Sequence, residues 1–359
     1  MDRTAHSRWT PADGQALQAL REDAATLLAD QFRPYLMPIW NSLCDDPQAA
    51  ARADARSHLD ALQAALTRSA PRNWLDYVSW LQQVLVNRGA EPDLLAHSLT
   101  QLAGLYAQRL PEPTRGRVTA SLRATAQVLH AEHDDALHYG GVGPKPWKEC
   151  NAFRNALLAG DHSLSATLFD EVLAAHGDQV STAVHMVQPA LYDIGRQWQL
   201  NTVSVTQEHL ATAIVEALLA QASGGVRSTA ARGCRVVLAR APANHHAVGL
   251  RIVADAFESA GWDTQLLPEP ASTGNLVSLL RQHPPQLLGL SAALPLHLLT
   301  LRELLRQLRE TLGEAMPRVI VGGLAVNQYP EIAGATGAIV VGPDAERMIA
   351  MLPALEQAA

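Results

Sequence analysis

From about residue 12 to 138, apolar side chains return every three or four positions. Leu17, Leu20, Ala24, Leu27 and Leu28 form one run, Trp74, Tyr77, Leu81 and Leu85 a second, and Leu95, Leu99, Leu102 and Tyr106 a third. That period puts them on one face of a helix, so the stretch is expected to be an all-α helical bundle. Its breaks fall where helices must stop, at Pro71, at the turn Gly89-Ala-Glu-Pro92 and at Pro111-Glu-Pro113. The Gly- and Pro-rich segment from Tyr139 to Pro146 reads as a linker. The expected division is an N-terminal helical sensor or output bundle over 1–138 and a linker over 139–147. Helical spacing then resumes with Phe153, Leu157 and Leu158, with Leu164, Leu168, Val172 and Leu173, and with runs through Val180 to Trp198 and Val205 to Gln221. These predict a compact four-helix domain over 148–225.

After Ser223-Gly-Gly225 the period changes. Short apolar runs at Val236 to Leu238, Gln265 to Leu267, Leu287 to Leu290, Val319 to Val321 and Ile339 to Val341 alternate with helical segments starting near 246, 272, 296, 327 and 344. Strands separated by helices imply right-handed crossovers, hence a five-stranded parallel sheet of flavodoxin-like (Rossmann-like) α/β type over 230–359. Ligands of such sheets lie at the carboxyl ends of the strands, so chemistry is expected in the loops after 239, 291 and 321.

Composition narrows the partners. The 359 residues are 48% hydrophobic and 18% charged, with a net charge of -7, which disfavours a generally basic nucleic-acid binder. The cysteines, Cys44, Cys150 and Cys234, are far apart and without a CxxC pair, so neither a disulfide framework nor a zinc site is expected. No stretch approaches the length of a membrane span and the N-terminus has no signal pattern, so a cytoplasmic protein is expected. The histidines His130, His133 and His138, beside Glu132, Asp134 and Asp135, form a weak candidate for a divalent metal. Trp40, Trp74, Tyr77 and Trp80 fall at helical spacing and are expected to be core.

The loop after the first strand reads Ala241-Pro-Ala-Asn-His-His-Ala-Val-Gly249, with two adjacent histidines at the ligand-binding edge of the sheet. One imidazole cannot close a zinc site, but it suffices as the single protein ligand to a metal already held by a macrocycle. Asn244-x-His246-x-x-Gly249 resembles the DxHxxG motif of the cobalamin-binding domain shared by methionine synthase, corrinoid methyl carriers, isomerases and light-responsive regulators. Ser291-Ala-Ala-Leu294 resembles that family's serine motif, and Gly322-Gly323 its paired glycines. The resemblance implies His246 as lower axial ligand to cobalt, with His245 as a rival. It also implies a nucleotide tail threaded past Gly249, Ser291, Leu294, Gly322 and Gly323. The family usually has an acid where Asn244 stands; an amide orients the imidazole without adding charge.

In the helices before the sheet, Trp198 is followed by Glu208-His209. This resembles the cap bundle of CarH/LitR-type photoreceptors, where a Trp and a Glu-His pair enclose the adenosyl group of adenosylcobalamin. Those proteins have a histidine directly after the Trp; here it is Gln199, which leaves His209, His185 or water for the upper side of cobalt. They also usually begin with a MerR-type DNA-binding domain, whose pattern is missing from residues 12 to 138. The expectation is a cobalamin-dependent light-sensing regulator that prefers adenosylcobalamin and signals through a protein partner or homo-oligomer, without direct DNA or membrane binding. The alternative is a methyl-corrinoid carrier, using methylcobalamin, that serves a methyltransferase system.

Overall fold

The computed structural model describes residues 9–43, 46–68, 71–131, 143–223, 233–334 and 336–357. The chain separates into two compact units, Met1–Leu137 and His138–Ala359. Cys44, Glu132, His133, Asp134, Asp135 and His138 lie outside the described residues. His130 is described and pairs with Asp93 at 2.8 Å. Among the described residues no three His, Cys, Asp or Glu side chains are grouped to hold a metal, and no helix is long and apolar enough to cross a membrane.

The first unit holds α1 (Pro11–Ala19), α2 (Arg21–Leu43), α3 (Pro47–Arg68), α4 (Pro71–Val86), α5 (Leu94–Arg109) and α6 (Thr114–Ala131). As the periodicity predicts, Leu17, Leu81, Leu95, Leu102 and Tyr106 are buried, and so are Trp40, Trp74 and Tyr77. Three of these aromatics satisfy their polar ends inside the core. Trp40 Nε1 donates to Asp54 at 3.1 Å, Trp74 Nε1 to Thr125 Oγ1 at 2.9 Å, and the Tyr77 hydroxyl meets His58 Nδ1. The chain entry is fixed by Asp13, a buried carboxylate in the first turn of α1. It accepts from the Thr10 N–H at 2.7 Å, from Arg117 Nη2 at 2.7 Å and from the Thr114 hydroxyl, which ties α1 to α6.

The second unit begins with α7 (Cys150–Leu158), α8 (His162–His176), α9 (Gln179–Thr182), a π-helical turn (Ala183–Val187), α10 (Gln188–Gln199) and α11 (Val205–Ser223). The run predicted from Val180 to Trp198 is therefore continuous but widened in its middle. Pro189 has no N–H to give to the His185 carbonyl four residues back, and that carbonyl instead accepts from Trp147 at 3.0 Å.

The α/β part follows: β1 (Arg235–Arg240), α12 (Val248–Ser259), β2 (Asp263–Leu266), α13 (Thr273–Gln282), β3 (Leu287–Ser291), α14 (Pro295–Leu312), β4 (Arg318–Gly322), α15 (Leu324–Gln328), α16 (Pro330–Gly334), β5 (Ile339–Val340) and α17 (Ala345–Gln357). The five strands are parallel and ordered β2-β1-β3-β4-β5, the flavodoxin-like order expected. The helix expected near 327 is split at Tyr329-Pro330 into α15 and α16, since proline cannot donate into the preceding turn.

Alternate residues of the central strands enter different cores. Val236, Leu238, Leu287 and Ile320 pack with α12 and α17, whereas Val237, Ala239, Leu288 and Val321 pack with α13 and α14. The first core also takes in Phe153, Phe169, Val184, Ile194 and Val215, so the helices before the sheet share their interior with it. Polar fasteners join the same faces: Gln179 Nε2 donates to Asp255 at 3.3 Å, Ser181 Oγ to Glu346 at 2.5 Å and Gln188 Nε2 to the Pro343 carbonyl at 3.2 Å.

Asp13 gives the fold a pH signature. Burial opposes its ionisation, but the hydrogen bonds from Thr114, Thr10 and Arg117 outweigh it and hold the carboxyl far below the usual range. A depressed native pKa means stability that is present above the unfolded value and is lost as pH falls below it. Asp13→Asn is expected to cost about 1–3 kcal/mol at pH 7. In thermal melts that difference from the parent shrinks steadily as the pH drops from about 4.

Candidate functional site

Strand order reverses between β1 and β3, so the loops leaving these two strands stand side by side at the carboxyl edge of the sheet. They are joined residue by residue. The Ala241 N–H donates to the Ser291 carbonyl at 2.9 Å, the Thr300 hydroxyl of α14 donates to the Pro242 carbonyl at 3.0 Å, and His297 donates to the Ala243 carbonyl. Ala243 is held at φ +64, a left-handed conformation that costs a residue with a Cβ about 1 kcal/mol. Asn244 completes the set. It is fully buried, and its Nδ2 donates to the Ser291 carbonyl at 2.9 Å.

That bond decides the tautomer of His246. A carbonyl accepts only, so the amide nitrogen of Asn244 must face Ser291 and its oxygen must face the other way. The oxygen lies 3.1 Å from both the N–H and Nδ1 of His246. Nδ1 therefore carries the proton, and the Nε2 lone pair is free. His246 is exposed on one side although protein surrounds it on the others. Crowding by the protein, helped by His245 and Arg240, pushes its pKa down to about 4, so the ring is neutral near pH 7. A neutral imidazole with an accessible lone pair is what a metal ligand requires. His245 is exposed too, but no hydrogen bond among the described residues orients it.

His297 went unnoticed in the sequence. It is buried, lies 6.1 Å from His246 between ring centroids, and its Nδ1 accepts from the Leu294 N–H at 3.0 Å at the start of α14. Its other nitrogen supplies the bond to Ala243, and burial above all pushes its pKa down to about 3. Near pH 7 it is a neutral brace. The only sequence signal was its place three residues into a helix that follows a strand.

The remaining lower-edge residues fall around this loop. Gly323 has φ +100, and a Cβ there would lie 2.5 Å from the Ala292 carbonyl oxygen, so glycine is required by the fold itself. Gly322 ends β4 with its carbonyl accepting from Ala292 at 3.0 Å. Gly249 differs: a Cβ there would meet nothing within 4 Å. Packing does not demand that glycine, which leaves open space in the first turn of α12, three residues from His246. Ser291 and Leu294 are half-buried at the end of β3 and at the cap of α14.

Of the residues predicted on the helical side, Glu208 and His209 stand together at the start of α11, with Glu208 Oε2 2.9 Å from His209 Nδ1. His209 Nδ1 also faces the Val205 carbonyl at 2.8 Å, so its exposed Nε2 remains available. Trp198 is half-buried in the last turn of α10. Gln199 is 3% exposed and turned into the protein. His185 is engaged at both ring nitrogens, with the Lys145 carbonyl at 2.8 Å and Glu346 at 3.3 Å, and lies against Trp147 at 5.0 Å. It is not free to ligate a metal in this arrangement.

Comparison with known proteins agrees with the chemistry of the loop. Residues 234–352 match a B12 binding domain family, and residues 149–222 match a second family of the same description. The residues present fit such a group: an oriented neutral imidazole and, three residues on, an open glycine turn at Gly249. The cofactor is cobalamin. The chain is similar to the HTH-type transcriptional repressor CarH of Myxococcus xanthus, 28% identical over 186 residues, which are 52% of this chain and 60% of that protein. It thus spans less than two thirds of this relative. The monomethylamine corrinoid protein of Methanosarcina barkeri is similar at 19% identity and a TM-score of 0.47 over 57% of this chain and 96% of that one. A cobalamin-binding protein of Desulfitobacterium hafniense DCB-2 is similar at 20% identity and a TM-score of 0.30 over 57% and 98%.

The role of the amide in orienting His246 is testable without cofactor. Asn244→Asp puts two oxygens 2.9 Å apart unless the new carboxyl takes a proton. A carboxyl so placed has a raised native pKa, so its stability deficit is largest at neutral pH and narrows as the pH falls. Thermal melts of the apo protein are expected to show a loss of about 1–3 kcal/mol at pH 7 that closes toward pH 4.

Proposed function

We propose that this chain is a cobalamin-dependent light-responsive regulator. It binds adenosylcobalamin with His246 as the lower axial ligand, beneath the helices α7 to α11. Cobalamin supplies a cobalt–carbon bond that visible light breaks. The protein's own part is to hold, orient and enclose. Asn244 keeps the Nε2 lone pair of His246 directed outward, Gly249 leaves open space beside it, and Ser291, Leu294 and the Gly322-Gly323 turn line the path of the nucleotide tail. Trp198, Glu208 and His209 cover the opposite side. The observation that carries the reading is the Glu208–His209 pair at the start of α11, following Trp198 at the end of α10. Similarity to the CarH repressor supports it further. With a net charge of -7, the output is contact with a protein partner or self-association rather than direct operator binding.

A second reading, a methyl-corrinoid carrier that serves a methyltransferase, draws on Gln199. The photoreceptor pattern has a histidine at this position; here a buried amide replaces it. A carrier needs no second histidine.

One spectroscopic series separates the two. The protein is reconstituted in the dark with adenosylcobalamin and its absorption spectrum is recorded before and after green light. The regulator reading expects a histidine-ligated spectrum that changes irreversibly on illumination, together with a shift in oligomeric state or partner binding. His246→Ala is expected to lose the histidine-ligated spectrum, while His245→Ala keeps it. Tighter binding of methylcobalamin, with no light response beyond that of free adenosylcobalamin, would transfer the assignment to the carrier.

A further inference from the structure

Arg240 is the last residue of β1 and is 8% exposed. Arginine is always charged, and burying a charge is costly unless it is paired. Here no carboxylate among the described residues pairs with it. Its single side-chain hydrogen bond is from Nη2 to the Pro268 carbonyl, in the loop after β2. The other guanidinium N–H groups have no partner among the described residues and are not sealed from solvent. A largely buried cation whose remaining donors reach solvent at the ligand-binding edge of a sheet is placed to donate to a bound acceptor.

Its neighbours say where that acceptor lies. Arg240 pairs in register with Ser291, and its own carbonyl accepts from the Ala271 N–H at 2.8 Å, so its backbone is locked between β3 and the loop after β2. It is near enough to His246 to help keep that ring unprotonated. The hydrogen bond to Pro268 draws the guanidinium toward the β2 side of β1. Ser291, Gly322 and Gly323 lie on the other side, along β3 and β4. The two flanks of His246 are therefore unlike: glycines on one, an unpaired cation on the other.

We infer that Arg240 is a cofactor-reading residue that donates to an oxygen acceptor of the bound cobalamin on the β2 side of His246. Two groups on cobalamin offer that chemistry, the amide carbonyls around the corrin ring and the phosphodiester of the nucleotide tail. The placement away from Ser291 and the glycine pair favours a corrin amide. The planar fork of arginine suits this role because one arm stays on Pro268 while the others face the ligand. The inference rests on cobalamin being the cofactor and is independent of any light response.

The test compares the 359-residue parent, Arg240→Gln and Arg240→Lys by absorbance titration with aquocobalamin and with diaquocobinamide, which has no nucleotide tail. Glutamine keeps an N–H for Pro268, and lysine keeps the charge without the fork; melting curves of the apo proteins report on folding separately. The expected result is binding about tenfold weaker or more in Arg240→Gln for both ligands, with Arg240→Lys in between. A loss confined to aquocobalamin would support the inference with the phosphodiester as acceptor. Equal affinities of parent and both variants for both ligands would overturn it. Weakening that only follows a lowered melting temperature, and is equal in the two variants, would overturn it too, because that marks a purely structural arginine. A parent that binds neither ligand would strike at the cofactor assignment itself, a failure distinct from that of Arg240.

Discussion

Everything at the edge of the sheet depends on one buried amide. Asn244 faces a carbonyl on one side and an imidazole on the other, and only a group with a donor end and an acceptor end satisfies both. A carboxylate would repel the Ser291 oxygen, and an apolar residue would leave that oxygen with one bond fewer and His246 free to turn. The amide thus links the two loops of the topological switch point and fixes which nitrogen of His246 faces outward. Its neighbours reinforce the same choice. Thr300 and His297 hold the two carbonyls before it, and their bonds offset the strain of the left-handed Ala243.

An amide rather than an acid behind His246 also sets the electrostatics. No negative charge stands behind His246, and Arg240 adds a positive one nearby. Both make the outward nitrogen a weaker base, and a weaker base is a weaker donor to a metal. Under the proposed function, grip on the cofactor comes from several contacts distributed around the loop rather than from a strong axial bond alone. The helices before the sheet bear on this too. Phe153, Val184 and Val215 belong to the same core as Phe257 and Val236, so a shift of α7 to α11 cannot be a free hinge. It must exchange one packed arrangement for another, and the polar fasteners at Glu346 and Asp255 limit which arrangements are open.

The fold of the α/β part was legible because each of its strands is a short apolar run bounded by helical spacing, and the two-residue alternation between cores follows from the pleat. The π turn and the split at Pro330 were less so, since periodicity registers a continuous apolar face and passes over one shifted hydrogen bond. The loop motif announced His246 and the glycines. It did not announce Asn244 as a bridge, because its value lies in Ser291, 47 residues away. His297 and Arg240 were hidden for a related reason. Neither belongs to a short pattern, and each acts through what the fold brings to it. A histidine in a leucine-rich helix and an arginine ending a strand look ordinary until their burial is known.

Under the proposed function, the upper side of the cofactor is governed by helix geometry. Successive residues on a helix point about 100° apart, so when Trp198 is half-exposed its neighbour at 199 is carried toward the interior. Gln199 is buried accordingly. Placing an imidazole at that position would put it first into the protein and only after unwinding the last turn of α10 toward a ligand. His185 is no substitute while its nitrogens are bound to Lys145 and Glu346. That leaves water or His209, whose Nδ1 is fixed by Glu208 and Val205 and whose Nε2 is open. The arrangement mirrors the lower side, where Asn244 fixes one nitrogen of His246 and frees the other. A histidine oriented in this way needs no movement of its own ring to act, so under the proposed function the upper side can respond through α11 alone while α10 stays packed.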